Sequence, residues 1–591
     1  MDSMVFLLQI ILQKYMSHSY CLSIISENNV YLPTNTTSVR FGTIDLDNIL
    51  ATLDMGCSDF VIQVDDPIHF AIVLEKVLFL SNTRRGDRKF IFVPKRLDDS
   101  DELLNVLQTG IFTYIPNVIL IVPTNKKVEA DENCEDYDIV THKFVGPYEE
   151  DIKIPIVLDR WNSCRKVFER NENLFPHDIA NMYGRTVKVA CFMYPPFVIL
   201  NLDKQVSRNG RDGLDMRVVD ELCSWINCTI EVVDVGAGQW GTVYPNATGT
   251  GVLGAVAMGK ADFGITSLGY WDKPYPMMDF SAYTFLISVT NLVPKPRLLS
   301  RWELPIIAFS FPMWMVTIFS MVYSWLALVL AQHGSTNNAW LNIWRIMMAQ
   351  PCKLESSWRS QFVLLGPVVT GLIINAAYSA GLSSLFTIPN YEKSIDTVED
   401  LLESGLEWGA PDIAWVYSIS SAKDERHMRI VDKFRLLTPS QLKARGENQT
   451  IALSIELLPA GCLAIGGGEA ITTDILNNYQ LLTEDLFFGV STVAARKNSP
   501  YVAKLNDRIL RLIEAGLLLA WDSQISLKYQ DVKVKMAIKY SRNAEPPTTA
   551  PLNLVAIGGI FMILVAGIIV SFIVFLVEMA QGRQKHKKET M

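Results

Sequence analysis

The sequence has little that would serve an enzyme or a metal protein. Its 591 residues include only nine cysteines and seven histidines, and none of these stands in a Cys-x-x-Cys, His-Glu-x-x-His or similar metal-ligand spacing. No Gly-x-Ser-x-Gly elbow and no paired-acid motif stands between a strand and a helix. The letters of Asp262-Phe-Gly264 match a kinase motif, but a glycine-rich stretch ends at Gly254, too close for a catalytic loop to intervene. We expect neither an enzyme nor a cofactor.

The sequence also lacks the basic surplus of a nucleic-acid-binding protein. Its formal net charge is −9, which argues against nucleic acid as a partner. A short basic cluster, from Arg583 to Lys588, follows the last apolar run. We interpret this cluster as a determinant of membrane orientation.

What the chain does have is a set of long uncharged apolar runs. Residues 306–331, 362–386 and 552–577 carry no charged side chain, and about 20 helical residues suffice to cross a bilayer. Residues 339–352 are apolar but too short and too polar to span, which is typical of a re-entrant loop lining a water-filled cavity. The sequence predicts three transmembrane helices, one pore loop and lipid as a partner.

The positive tail places the C-terminus in the cytoplasm, and three crossings then place the N-terminus outside the cell. Asn-x-Thr glycosylation motifs agree, because all of them fall in segments assigned to the outside. They are Asn35, Asn227, Asn246 and Asn448.

Strand and helix patterning divides the rest of the chain. Short apolar strands alternate with amphipathic helices in two regions, which predicts α/β domains. We expect a signal peptide at 1–22, atypical because Asp2 precedes its apolar core, and a short extracellular α/β domain at 23–180. A ligand-binding domain follows in two segments, 181–300 and 391–550, separated by the pore module at 301–390. The last helix, 552–577, leads to a cytoplasmic tail at 578–591.

Several motifs carry a resemblance to one family. The uncharged stretch from Asn375 to Thr387, at the end of the membrane run 362–386, looks like the extracellular end of the inner pore helix in ionotropic glutamate receptors. Gly259-Lys-Ala-Asp262, Met278-Asp279-Phe280-Ser281 and a helix at 505–521 keep that family's order. The chain resembles this superfamily from about 186 to 577, most closely the divergent ionotropic receptors of arthropod sensory neurons. The resemblance assigns the channel gate to Tyr378, Ser379, Ala380, Gly381, Leu382, Ser383 and Ser384.

The resemblance implies a bilobed, periplasmic-binding-protein-like ligand-binding domain interrupted by the pore module. It also implies a ligand cleft, for which we expect a lining of Tyr194, Trp240, Ser267, Lys273, Asp412, Trp415 and Glu469. The family's carboxylate-binding arginine aligns with Pro274, so we expect that glutamate does not bind. Aromatic and acidic residues without arginine favour an amine or a neutral volatile. The alternative is that these residues merely fill a closed seam between the lobes.

Two more positions follow from the resemblance. Ala349 aligns with the pore-loop position that sets calcium passage in glutamate receptors, with Gln350 next to it, and no ring of carboxylates is evident there. No cysteine follows Cys462, so the second lobe lacks the family's disulfide and is expected to be looser.

We therefore expect a subunit of a ligand- or stimulus-gated non-selective cation channel, a sensory receptor for odorants, tastants, temperature or humidity. The resemblance implies a heterotetramer with ionotropic co-receptor subunits, permeant cations, and a small-molecule ligand, in the plasma membrane of a sensory dendrite or cilium. The alternative is a non-conducting, membrane-tethered binding or assembly subunit of such a complex.

Overall fold

A computed structural model describes residues 2–27, 37–42, 45–96, 100–124, 136–207, 209–297, 304–331, 339–351, 358–387, 391–542 and 554–589. The chain forms two compact units. One comprises Met1–Pro294 with Asp396–Ser541, and the other comprises Lys295–Ile395 with Arg542–Met591.

The first α/β domain is an eight-stranded sheet with helices on both faces. Its strands are β1 (Leu22–Ser26), β2 (Ser38–Phe41), β3 (Asp59–Gln63), β4 (Lys89–Phe92), β5 (Val118–Pro123), β6 (Tyr137–His142), β7 (Pro155–Asn162) and β8 (Val167–Phe168), in the order β2-β1-β3-β4-β5-β6-β7-β8. Its helices are α1 (Asp2–Tyr15), α2 (Leu46–Asp54), α3 (Pro67–Leu80) and α4 (Ser100–Val106). The strands up to β5 pair in parallel, and β5 is apolar and buried along its whole length, as expected when helices cover both faces.

Helix α1 falls within the expected signal peptide but is part of this domain's core. Leu7 and Ile11 are fully buried, and they pack with Val61, Ile91 and Ile119 of the sheet. Removal of residues 1–22 would uncover that face of the sheet and would also remove Cys21, which forms a disulfide with Cys57. The burial therefore argues against cleavage after residue 22.

The first segment of the second domain contains β9 (Thr186–Cys191), β10 (Thr229–Asp234), β11 (Phe263–Leu268), β12 (Met278–Phe280), β13 (Phe285–Pro294), α5 (Leu214–Ile226) and α6 (Gly251–Ala257). Cys223 near the end of α5 forms a disulfide with Cys228. Strand β13 then leads to the membrane segments.

The membrane segments contain α7 (Leu304–Ile307), α8 (Phe311–Ala331), α9 (Ala339–Met347) and α10 (Trp358–Thr387). The predicted helix 306–331 is in fact divided, because α7 ends before α8 begins at Phe311. Pro312 accounts for the break, since proline has no N–H and its ring would clash with the carbonyl four residues earlier. Helix α9 lies within the predicted re-entrant loop and is too short to span.

The second segment contains α11 (Val398–Ser404), β14 (Trp408–Ala410), α12 (Glu425–Asp432), β15 (Phe434–Leu436), α13 (Pro439–Glu447), β16 (Ala452–Leu457), β17 (Leu463–Ile465), α14 (Thr473–Leu476), β18 (Tyr479–Leu481), β19 (Phe487–Arg496), α15 (Val502–Glu514), α16 (Leu517–Tyr529) and α17 (Val532–Lys539). The helix predicted at 505–521 is two helices, because Gly516 adopts a left-handed φ of 69° between them. Helix α18 (Leu554–Glu589) follows.

The two segments form one sheet, in the order β10-β9-β11-β19-β13-β16-β14-β15. One end of this sheet, with α5, α6, α15 and α16, is the first lobe, and the other end, with β17, β18, α13, α14 and α17, is the second lobe. The ten-residue antiparallel strands β13 and β19 run between them, and we call them the hinge strands.

The first α/β domain is joined to the first lobe through a buried arginine. Arg88 is 2% exposed and donates from Nη1 to Oδ1 of Asn498 at 2.6 Å. Asn498 in turn donates to the carbonyl of Leu78 at 3.0 Å. Gly86 lies so close to Ser499 that a Cβ would sit 2.5 Å from its carbonyl oxygen. The junction therefore requires glycine at position 86 and a hydrogen-bonding pair at Arg88 and Asn498.

Helices α8, α10 and α18 are long and apolar enough to cross a membrane, by length and composition. Little of their apolar surface is covered within the chain, which suits a surface that faces lipid or other subunits.

Candidate functional site

A cavity of about 450 Å³ lies between the two lobes. Its first-lobe wall is aromatic: the rings of Tyr194 and Trp240 meet edge to face at 4.9 Å, and Phe192 meets Trp240 at the same distance. The second lobe contributes the segment from Leu463 to Glu469, and α16 and α17 contribute Tyr529 and Lys535. The size suits a small molecule.

Tyr194 also reaches across the cleft. Its hydroxyl donates to Oε2 of Glu456 at 2.8 Å, and Glu456 belongs to β16 of the second lobe, opposite Val289 of a hinge strand. Burial raises the pKa of Glu456 to about 8, and the nearby carboxylate of Asp215 adds to this rise. Burial beside Glu456 holds the pKa of Tyr194 well above its usual value. At neutral pH the pair is thus an uncharged bond between the lobes, which we call the clasp.

A second carboxyl group lies behind the aromatic wall. Asp215, at the start of α5, is fully buried and accepts the backbone N–H groups of Thr266 at 3.1 Å and Ser267 at 2.7 Å. The hydroxyl of Ser491, on hinge strand β19, donates to it at 3.1 Å. The carbonyl of Thr266 accepts the indole N–H of Trp240 at 2.7 Å, so the wall and the carboxyl group share one peptide.

The peptide that holds Asp215 is in an unusual conformation. Thr266 has a φ of 105° and Ser267 a φ of 53°, and positive φ is costly for a β-branched residue such as threonine. Two successive N–H groups turned to one side in this way form a concave anion-binding nest. Burial raises the pKa of Asp215 to about 6, and the three donors oppose that rise.

Contacts at the mouth show that the cleft is closed. The rings of Trp271 and Tyr417 meet at 5.2 Å, and the hydroxyl of Ser421 donates to Asp272 at 2.9 Å. The Tyr417 hydroxyl also lies 3.4 Å from the carbonyl oxygen of Gly241. These pairs join the first lobe to the second at the rim.

The predicted ligand residues divide into three groups. Tyr194, Trp240 and Glu469 line the cavity. Ser267 and Trp415 are buried but lie outside its lining, and the N–H of Ser267 already binds Asp215. That a ligand touches any of them stays a prediction.

The other two predicted ligand residues also lie outside the cavity lining. Lys273 is exposed, because the turn after β11 directs it to solvent. Asp412 instead accepts the N–H of Ala414 at 2.8 Å as the cap of a short 3₁₀ helix, Ile413–Val416. Lys273 thus faces solvent on the first lobe, and Asp412 caps a short helix on the second lobe.

The turn between β16 and β17, which contains Cys462, is held by a buried carboxylate of α16. Asp522 of α16 is fully buried and accepts the N–H groups of Ala460 at 2.7 Å and Cys462 at 2.9 Å. The Cys462 thiol donates to the carbonyl of Asp522 at 3.1 Å. These hydrogen bonds hold the turn between β16 and β17.

In the membrane unit, one amide holds the pore loop to the inner helix. Asn375 of α10 donates from Nδ2 to the carbonyl of Met347, the last residue of α9, at 2.6 Å, and to its own helix at Gly371. A Cβ on Gly371 would lie 3.0 Å from the carbonyl oxygen of Ile346, so glycine permits this close crossing. Ala349, two residues beyond the end of α9, has a left-handed φ of 54° and is exposed, as is its neighbour Gln350.

The predicted gate lies on the last three turns of α10. Tyr378 donates to the carbonyl of Pro305 at 2.9 Å and packs against Phe309 and Trp314. A Cβ on Gly381 would lie 3.0 Å from the carbonyl oxygen of Ala308. The short helix α7 and the turn after it thus pack on the predicted gate segment.

The glycosylation motifs are accessible where they are described. Asn227, Asn246 and Asn448 are exposed, whereas Asn35 lies outside the described residues. Glycan attachment stays a prediction.

Several known proteins are similar to this chain. Residues 306–568 match the family described as ligand-gated ion channel. The delta-2 ionotropic glutamate receptor of Mus musculus is 22% identical over 432 residues, which are 68% of this chain and 42% of that receptor. Ionotropic receptor 40a of Drosophila melanogaster is 22% identical over 504 residues, 68% of each chain. Glutamate receptor 3 of Mus musculus is 20% identical over 523 residues, 77% of this chain and 54% of that receptor.

The chain is thus similar to ionotropic glutamate receptors and to an ionotropic receptor. The mixed α/β fold, the two lobes and the three membrane helices agree with such a receptor. The relatives are ion-channel receptors rather than enzymes, and the chain spans 42% of the length of the delta-2 receptors it matches.

Sequence reasoning missed Asp215, Glu456 and Asn375. Each is a single polar residue among apolar neighbours, in Leu214-Asp215-Met216, in Ile455-Glu456-Leu457 and after Ile373-Ile374. That pattern was a usable signal, because a polar group buried in an apolar stretch needs a partner.

Proposed function

We propose that this protein is a subunit of a ligand- or stimulus-gated non-selective cation channel and acts as a sensory ionotropic receptor. The observation that carries the proposal is the chain path. Hinge strand β13 leads out of a closed two-lobed domain into the membrane helices, and the chain returns from α10 to complete the same domain. Because the chain runs from the two-lobed domain into the membrane helices and back, closure of the cleft could pull on both ends of the pore module and so act on a gate.

The cleft is proposed to bind an amine or a neutral molecule and not glutamate. Its wall of Phe192, Tyr194 and Trp240 offers aromatic faces, on which cations and apolar groups bind well. Glu469 and Asp531 at the cavity could pair with an ammonium group. Pro274 stands where the resemblance places the carboxylate-binding arginine, and only arginine offers a planar pair of donors. Competition with labelled glutamate tests this point, and micromolar binding would refute it.

Gating would follow from a shift in population between open and closed clefts. A stimulus opens the pore only to the extent that it favours one cleft state over the other. The proposed transmitting segments are residues 295–305 and 388–394, several of which lie outside the described residues. Tension there would separate the helix ends from Tyr378 to Phe386.

Temperature or humidity is a second class of stimulus for the same channel. The closed cleft is held by its own contacts, at the clasp and at the rim, so a physical stimulus could shift its population without a ligand. A large difference in buried or hydrated surface between the states would supply the sensitivity.

The proposed assembly is a heterotetramer with ionotropic co-receptor subunits in the plasma membrane of a sensory dendrite or cilium. The N-terminus would be extracellular and the C-terminus cytoplasmic, as the basic tail suggests. Permeant cations would pass the loop that carries Ala349 and Gln350.

The competing function is a non-conducting tether that binds or assembles other subunits. Whole-cell recording with a co-receptor subunit separates the two. Replacing Ala349 or Gln350 by aspartate should alter rectification or block if this chain lines the pore, and Ala380→Thr should produce altered or constitutive current. Unchanged currents at confirmed surface expression would favour the tether.

A further inference from the structure

The nest formed by Thr266 and Ser267 is an anion-binding site that the chain fills itself. Two consecutive backbone N–H groups and the hydroxyl of Ser491 converge on one buried point. Asp215 supplies the carboxylate there. In the described part of the chain, no lysine, arginine or histidine pairs with Asp215, so these three donors are what hold it.

The position of this carboxylate joins parts that must move together. Thr266 and Ser267 belong to β11 of the first lobe, whereas Ser491 lies on hinge strand β19, paired with Phe285 of the other hinge strand. The Thr266 peptide also accepts the indole N–H of Trp240, which lines the cavity. Asp215 therefore fixes the aromatic wall and the hinge at the same time.

The local backbone preference of Thr266 does not explain this arrangement, because its conformation is strained. A φ of 105° is energetically costly for a β-branched residue such as threonine. Ordinary β11 geometry would avoid that cost but would turn the two N–H groups apart. The strained conformation persists because it aims both donors at a carboxylate.

We propose that Asp215 is a built-in carboxylate that fills the nest, holds β11 to hinge strand β19 and so stabilises the closed cleft. This deepens the proposed function and rests on it for its effect on the channel. Cleft closure itself can be measured without current.

The test uses cross-linking across the rim of the full-length chain in cell membranes. Asp272 and Ser421 are exposed and hydrogen-bonded across the mouth of the cleft, so Asp272→Cys with Ser421→Cys places a reporter pair for a short bifunctional thiol reagent. In this background, Asp215→Gly should reduce cross-linking several-fold. Sodium formate or acetate should restore it, because either anion can enter the vacated nest, whereas sodium chloride at the same ionic strength should not.

A matched variant separates this role from simple structural support. Asp215→Asn keeps the volume but not the charge, so it should also reduce cross-linking, and formate should not restore it because the amide still fills the site. The chain with Asp215 intact should not respond to formate at all. Rescue of the glycine variant alone is the expected result.

Two results would overturn the proposal. One is cross-linking of Asp215→Gly at the level of the unaltered chain without any added anion. The other is failure of formate to restore a glycine variant that reaches the cell surface. If neither Asp215 variant reaches the surface, Ser491→Ala decides: it should give intermediate cross-linking, and full cross-linking would refute the inference. Absence of current in any of these chains would count against the proposed channel only.

Discussion

Replacing Glu456 by glutamine should remove most of the pH dependence of the clasp. In the closed cleft Glu456 is 9% exposed and accepts the Tyr194 hydroxyl at 2.8 Å. Asp215 is the charged group that faces it, and within the described residues no cation pairs with it. Ionised Glu456 would therefore be a buried charge opposite another carboxylate. Glutamine accepts the same hydrogen bond and cannot ionise.

The expected magnitude follows from the pKa of Glu456, which is about 8 in the fold and 4.5 for an ordinary glutamate. Because the folded value is the higher one, the closed cleft binds the proton more tightly. The stability from this group is complete below about pH 4.5 and is lost as the pH rises towards about 8. The whole change is worth at most about 5 kcal/mol, since one pKa unit corresponds to about 1.4 kcal/mol. If the cleft opens, water hydrates the Glu456 carboxylate. The loss of stability therefore cannot exceed the free energy needed to open the cleft.

The assay is thermal unfolding of the detergent-solubilised full chain between about pH 5 and pH 8, the range over which the stability contributed by Glu456 is expected to change. The unaltered chain should lose several degrees more than Glu456→Gln across this range, because about 1 kcal/mol corresponds to roughly 2–4 °C for domains of moderate size. Glu469→Gln is the matched control, since that carboxylate lines the same cavity but is exposed. Equal pH profiles for Glu456→Gln and the unaltered chain would refute the reasoning.

Three further predictions concern other parts of the chain. Ile11→Asp should lower the melting temperature by several degrees, because Ile11 is fully buried on the first sheet, whereas Ile72→Asp, 47% exposed, should not; equal effects would count against a structural α1. Arg88→Met should destabilise the fold by about 1–3 kcal/mol, measured by denaturant unfolding, because Asn498 loses the guanidinium donor and keeps only the N–H of Arg85; a neutral result would show that the junction does not depend on Arg88. Asn375→Leu should change channel block or rectification several-fold, because it frees the carbonyl of Met347, and unaltered permeation would show that this amide does not position the pore loop.

Much of the fold could be predicted because it depends on repeating patterns. Apolar runs such as that of β5 predict buried parallel strands, and uncharged stretches of sufficient length predict α8, α10 and α18. Failures came where one residue overrides a pattern. Pro312 divides the first membrane run, and Gly516 divides the helix predicted at 505–521.

The site was less predictable because its key contacts are between residues far apart in the chain. Tyr194 and Glu456 are separated by 262 positions, and Asp215 and Ser491 by 276. Tyr194 and Trp240 could be selected as aromatic residues in the right segment, and they do line the cavity. The carboxyl groups behind them could not be paired without the sheet, and Lys273, placed by alignment alone, is exposed.

The most direct test of the account is to close the cleft covalently while recording current. Cells that express the Asp272→Cys, Ser421→Cys chain with a co-receptor subunit would be treated with the bifunctional thiol reagent. The account predicts a sustained change in current that follows cross-link formation and is absent in either single-cysteine chain. Full cross-linking at the cell surface with no change in current, in cells where Ala380→Thr does alter current, would contradict the claim that this cleft controls a pore.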